Sequence, residues 1–218
     1  EPADPVQKWL TQSEYASLPS VERNQLALDR WRRKPKTRWE VGRDYERYVG
    51  YVYEMDGHAV QYQGIVQGFE DLGRDLICTK GNEIAVVQCK NWSQDKQIHE
   101  KHIFQLYGTV IAYQVEEPHK SARGVFYTTT RLSPQALRFA EVLDIEVKEQ
   151  LPLQSYPCIK CNVSRRDGQK IYHLPFDQQY DRTVIEQERN ECFADTVAEA
   201  ESLGFRRAFR WHARNEAS

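Results

Sequence analysis

Asp75, Gln88 and Lys90 stand out in this 218-residue chain as polar side chains set at regular spacing within apolar runs. The two segments read Asp71-Leu72-Gly73-Arg74-Asp75-Leu76-Ile77 and Ala85-Val86-Val87-Gln88-Cys89-Lys90. Gly81-Asn82 between them is a tight-hairpin turn signal. With Lys80 opposite Glu83, counting back down both strands places Asp75 opposite Gln88. Cross-strand neighbours hold their Cβ atoms roughly 4.5–5.5 Å apart, close enough to share one metal ion. Side chains alternate faces along a strand, so Gln88 and Lys90 point the same way. A carboxylate and an amide carbonyl are oxygen ligands, which suit a hard cation such as Mg²⁺ or Mn²⁺. Such an ion offsets the charge of a pentavalent phosphorus transition state. Lys90 is then placed to position an attacking water or to stabilise the developing oxyanion. The chemistry expected is phosphodiester hydrolysis. Taken singly, the three residues are an ordinary strand-edge carboxylate, a solvent-facing amide and a strand-end charge; their joint spacing favours a site.

The elements that must hold this hairpin follow from periodicity. Val41, Tyr45, Tyr48, Val49, Val52 and Tyr53 recur at three- and four-residue steps, and Asp56-Gly57 closes that helix. Strands are expected over Val60–Gly64, Asp75–Thr79 and Ile84–Lys90. A helix is predicted from Lys96 to Val115, then a buried strand from Gly124 to Thr129. Ser133-Pro134 caps another helix, and a last strand starts at Ile145. The order α-β-β-β-α-β-α-β implies an α/β fold, a mixed central β-sheet flanked by helices. Before it, residues 1–38 read as an N-terminal segment of two helices, opened by Asp4-Pro5 and by Pro19-Ser20. The domain itself is expected over residues 39–152, and residues 153–218 read as a small α+β C-terminal module.

At this point the residues resemble a known family. Asp75 with Gln88-Cys89-Lys90 is similar to the catalytic core of Mrr-like restriction endonucleases, the branch of the PD-(D/E)xK nuclease superfamily with glutamine ahead of x-Lys. Gly42-Arg43-Asp44-Tyr45-Glu46 resembles that family's helix signature, and the resemblance makes Glu46 an active-site residue. Phe104-Gln105-Leu106-Tyr107-Gly108 resembles its Q-L-x-G helix, which makes Gln105 a candidate DNA contact. The resemblance covers about residues 40–150 and implies a Mg-dependent deoxyribonuclease acting in restriction or defence against foreign DNA. A recombination or repair nuclease uses the same core, and a catalytically silent DNA-binding or assembly module is the reading of a different class. Intact Asp75, Gln88 and Lys90 argue against silence. Cutting both strands requires two sites, which makes a homodimer plausible.

In the C-terminal module Cys158-x-x-Cys161 has zinc-ligand spacing, and His173 and Cys192 are the residues that would complete a tetrahedral site. Lys170-Ile171-Tyr172-His173-Leu174-Pro175 and the stretch through Gly204-Phe205-Arg206 resemble a small Ada-like metal-binding fold. The later ligand positions of that fold are here Phe176, Asp177 and Arg206 to Arg210, which favours a metal-free, hydrophobically packed relative. Arg206, Arg207 and Arg210 are then candidate DNA contacts. Net charge is −2, so overall charge gives no argument for a nucleic-acid partner. The five dispersed cysteines are not a disulfide framework. No run approaches the roughly 18–20 apolar residues of a membrane span, and no signal peptide is legible, so a cytoplasmic setting is expected. The single methionine is Met55, which suggests that a preceding N-terminal part is missing.

Overall fold

The computed structural model describes residues 3–63 and 74–208. The chain forms two compact units, residues 1–35 with 157–218 and residues 36–156. The first unit opens with a 3-10 turn, Pro5–Trp9, whose Asp4 side chain accepts from the Val6 amide. It continues in α1 (Gln12–Ser17) and α2 (Ser20–Arg33). Thr11 and Glu14 form a capping box, which starts a separate short helix where the sequence suggested a single one running on from Asp4.

The second unit begins with α3 (Arg38–Met55), opened by a second capping box between Thr37 and Glu40. Then come β1 (Ala59–Tyr62), β2 (Leu76–Lys80), β3 (Glu83–Lys90), the short β4 (Gln97–Ile98), α4 (Glu100–Glu116), β5 (Arg123–Thr128), the short β6 (Arg131–Leu132), α5 (Pro134–Val142) and β7 (Ile145–Lys148). The main sheet has the order β1-β2-β3-β5-β7. The β1–β2 and β2–β3 pairs are antiparallel, whereas β3–β5 and β5–β7 are parallel. This is the mixed sheet that the element order implied, with helices on both faces. One difference lies at 96–99. Helix was expected there, but Gln97 and Ile98 pair with Arg131 and Leu132 as a two-stranded ribbon that buries Ile98 completely.

The alternation of each strand divides the core in two. Tyr45, Val49 and Tyr53 of α3 cover Leu76, Cys78, Ala85, Val87 and Cys89. Ile103, Leu106 and Val110 of α4, with Ala136 and Ala140 of α5, cover Ile77, Ile84, Val86 and Phe126 on the opposite face. Among the described residues no helix is long and apolar enough to cross a membrane.

The first unit resumes with β8 (Ile159–Val163), β9 (Lys170–His173), β10 (Cys192–Ala194), α6 (Val197–Ser202) and β11 (Arg206–Arg207), a sheet of order β10-β8-β9-β11. The sequence had set residues 1–38 apart from the C-terminal module. In the structure the N-terminal helices share a unit with it, because polar groups of α2 are satisfied there. Asn24 donates to the Tyr172 hydroxyl (2.9 Å), and Arg207 Nη1 donates to Asn24 Oδ1 (3.0 Å).

Candidate active site

The β2–β3 hairpin has the register that its turn demands. Lys80 faces Glu83 and the ladder runs without a slip to Leu76 opposite Val87. Gly81 takes φ +59°, the left-handed conformation that favours glycine at this turn. Asp75 is the next residue out. It leaves the regular ladder, since its amide donates to the Val87 carbonyl (3.0 Å) while its carboxylate Oδ2 accepts from the Cys89 amide (2.6 Å). The side chain thus takes the place of a backbone acceptor and is pinned across the end of β3. Just before it, Arg74 forks onto Glu116 at the end of α4 (2.7 and 3.0 Å) and fixes the approach.

Position 88 shares its face with Ile84 and Val86, the face beneath α4 and α5. Gln88 is fully buried there rather than open to solvent. Its Oε1 and Nε2 find no hydrogen-bond partner among the described residues. A buried amide without partners costs on the order of 1–3 kcal/mol, so the position is held for something other than stability. Beside it, Asp75 retains only 7% exposure.

Lys90 opens into a cleft of about 960 Å³ at the end of β3, shared with Glu46 of α3, Cys89, Trp39, Arg43 and Trp92. Glu46 and Lys90 therefore line one cleft, while Asp75 and Gln88 are not among its lining residues. The charges of Asp75 and Glu46 both act on Cys89, whose thiol burial first of all pushes well above its ordinary range, so it remains protonated and apolar. The chain after Lys90 is tied down by threonines. Thr129 accepts from the Trp92 amide (2.9 Å) and donates to the Trp92 carbonyl (2.6 Å), and Thr130 donates to the Lys96 carbonyl. These bonds fix the strand end that carries Lys90.

Two residues of this region stand outside the candidate set read from the sequence, which left His102 out as a surface histidine and did not consider Trp39. His102 on α4 meets Trp92 edge-on at 5.1 Å, and its Nε2 has no partner among the described residues. Burial, then the Lys90 charge, lowers its pKa. Trp39 is 69% exposed on the first turn of α3. The capping box at Thr37–Glu40 was the signal that would have located that turn.

The donor set suits a hard cation. Asp75 and Gln88 supply oxygens from adjacent strands, and the orphaned Gln88 carbonyl oxygen is a buried acceptor of the kind such an ion satisfies. The remaining candidate positions divide. Gln105 is exposed on α4, and Arg206 is exposed on β11 with its guanidinium on Gln169. Arg207 turns inward, 9% exposed, in ion pairs with Asp177 and Asp4, so its charge is spent within the fold. Arg210 lies outside the described residues.

The proposed zinc set does not assemble. Among the described residues no group of three or more His, Cys, Asp or Glu side chains gathers as metal ligands. Cys161 and Cys192 face each other across β8 and β10, Cys158 receives an Arg32 N–H (3.3 Å), and His173 lies opposite Lys160 on β9. Cys158 stands just before β8 and Cys161 within it, and three residues apart on extended chain they turn to different partners.

The family model for the restriction endonuclease catalytic domain of the Mrr type matches residues 39–150. No curated protein matches the chain in sequence. Two solved structures are similar over part of it. One is a crystal structure of a protein of unknown function, AF1548, with 19% identity, TM-score 0.37 and coverage of 49% of this chain and 58% of that one. The other is the MspJI restriction endonuclease in complex with a 27-mer oligonucleotide, with 16% identity, TM-score 0.36 and coverage of 64% and 32%. The chain thus spans between one third and three fifths of each of these proteins.

Proposed function

Because this chain belongs to the restriction endonuclease family through residues 39–150, we propose that it is a metal-dependent DNA endonuclease whose site is Asp75, Gln88, Lys90 and Glu46. The observation that carries this reading is the end of the hairpin. A buried carboxylate and a buried, unpartnered amide oxygen sit on neighbouring strands, and the lysine two residues further on faces an open cleft. Asp75 and Gln88 are the residues that would hold Mg²⁺ or Mn²⁺. When bound, the cation supplies Lewis-acid stabilisation of charge on the phosphoryl oxygens.

The rest of the chemistry belongs to the chain's own side chains. The Asp75 carboxylate, anchored on the Cys89 amide, keeps a fixed orientation and adds no reorganisation during the reaction. Lys90 presents an ammonium to the scissile phosphate from a strand end held by Thr129. Glu46, in the same cleft as Lys90, is the group that would accept a proton from the attacking water. The Cys89 thiol keeps water from the floor of the site and takes no part in proton transfer. Double-strand cleavage needs two such sites, so a homodimer belongs to the reading, as do a cytoplasmic setting and a role in restriction of foreign DNA.

Incubation of the protein with supercoiled plasmid tests the proposal. Nicked and linear products are expected in Mg²⁺ or Mn²⁺, with none in EDTA. Undiminished cutting in EDTA would remove the metal from the account, and binding without cutting in either cation would favour the silent module.

A further inference from the structure

Trp39 is the residue of the cleft that the nuclease reading leaves unused, and its surroundings point to a ligand. An indole 69% exposed leaves a large apolar face in water, and proteins place such faces where a partner covers them. The position is the second residue of α3, in the cleft that Glu46 and Lys90 also line. The Arg43 guanidinium lies over the ring at 5.5 Å, which holds the indole in place. Arg38, Lys90 and Lys96 line the same cleft, against Glu46 and Asp95 as its acidic members. Lys36, also in the cleft, is taken by Asp44. The surface therefore combines an aromatic plate with a cationic surround, the arrangement that binds single-stranded nucleic acid by stacking a base and tracking its phosphates.

Resting on the nuclease reading, we propose that Trp39 stacks on an unpaired DNA base beside the scissile phosphate, so that the preferred substrate carries a single-stranded or extrahelical nucleotide at the cleft. Fully paired duplex cannot satisfy this plate. Its base faces are covered by their neighbours, and only edges and phosphates remain for the protein. An unpaired base offers both the π-face for Trp39 and a backbone free to turn toward Lys90. Trp92 does not share the task, because it is partly buried against the core beneath α4.

The test is binding without cleavage. Anisotropy in EDTA compares a blunt duplex with the same duplex bearing an unpaired tail, using wild-type protein, Trp39→Ala and Trp39→Phe. Wild type should prefer the tailed duplex. Trp39→Ala should weaken its binding by roughly tenfold or more, given the stacking strength per base. Binding of blunt duplex should change little, and Trp39→Phe should keep most of the affinity for the tail. Equal loss on both substrates, or no loss on either, would overturn the stacking role and leave the nuclease reading standing. Failure of the wild-type protein to prefer the tailed duplex would also overturn this proposal, whereas the nuclease reading is decided separately by plasmid cleavage in Mg²⁺.

Discussion

Gln88 is the side chain whose chemistry and packing disagree most openly. Its amide is sealed beneath α4 and α5 with neither polar atom partnered among the described residues, a cost of about 1–3 kcal/mol that a leucine of similar size would not carry. Gln88→Leu should therefore raise the stability of the metal-free protein by about 1 kcal/mol while removing the rise in Tm that Mg²⁺ gives the wild type. Thermal denaturation with and without Mg²⁺ reads both effects, and an unchanged metal response in the variant would remove Gln88 from the ligand set. The hairpin register that brings positions 75 and 88 to its open end was legible, because the turn and the two-residue alternation are local. The enclosure of Gln88 was not, since it depends on a helix that starts twelve residues later. Arg207 misled for the same reason. In sequence it is one of several basic residues, and only Asp177 and Asp4, brought from 30 and about 200 residues away, show that its charge is already matched.

Helix α3 carries both Glu46 and Trp39, so its seat on the sheet decides where the cleft wall stands. Gly50 is the contact point, since a Cβ there would run into the Tyr62 ring, whose hydroxyl donates to the buried Glu54 (3.1 Å). Gly50→Ala should lift α3 from β1 and lower stability by about 1–3 kcal/mol, as overpacking generally does. Urea unfolding of the variant checks this, and an unchanged midpoint would show that β1 yields freely. Element order, the hairpin register and the Ser133 cap of α5 could be read from the sequence, because each is written in adjacent residues. The ribbon of β4 and β6 could not. Each of its strands is two residues long, and its only determinant is a partner more than thirty positions away. The start of α3 was readable in Thr37-x-x-Glu40, which the expectation built on Val41 and Tyr45 did not use.

The chain forms two compact units, and the one outside residues 36–156 has its own buried titrating group. His173 is 6% exposed on β9, and burial, then the charges of Lys160 and Arg207, push its pKa down from 6.5 to about 4. Below pH 6.5 the unfolded chain therefore takes up a proton that the folded chain refuses. The contribution is fully present above pH 6.5 and is lost as pH falls toward 4. Between pH 7.5 and pH 5 the loss should reach about 2 kcal/mol in urea unfolding. His173→Gln should flatten this fall, and an equal fall in the variant would assign it to other groups. The Cys158-x-x-Cys161 spacing suggested zinc ligands, but spacing along the chain does not by itself bring four side chains to one point, and among the described residues no such group gathers. For the whole molecule, the proposal stands or falls on whether Asp75 and Lys90 cut DNA. The most direct measurement is the rate of plasmid cleavage in Mg²⁺ by wild type, Asp75→Asn and Lys90→Ala, with DNA binding followed in parallel. Asparagine is chosen because it retains an acceptor for the Cys89 amide. Each variant is expected to cut at least ~100-fold more slowly while still binding DNA; cleavage at the wild-type rate by either one would show that the assigned site is wrong.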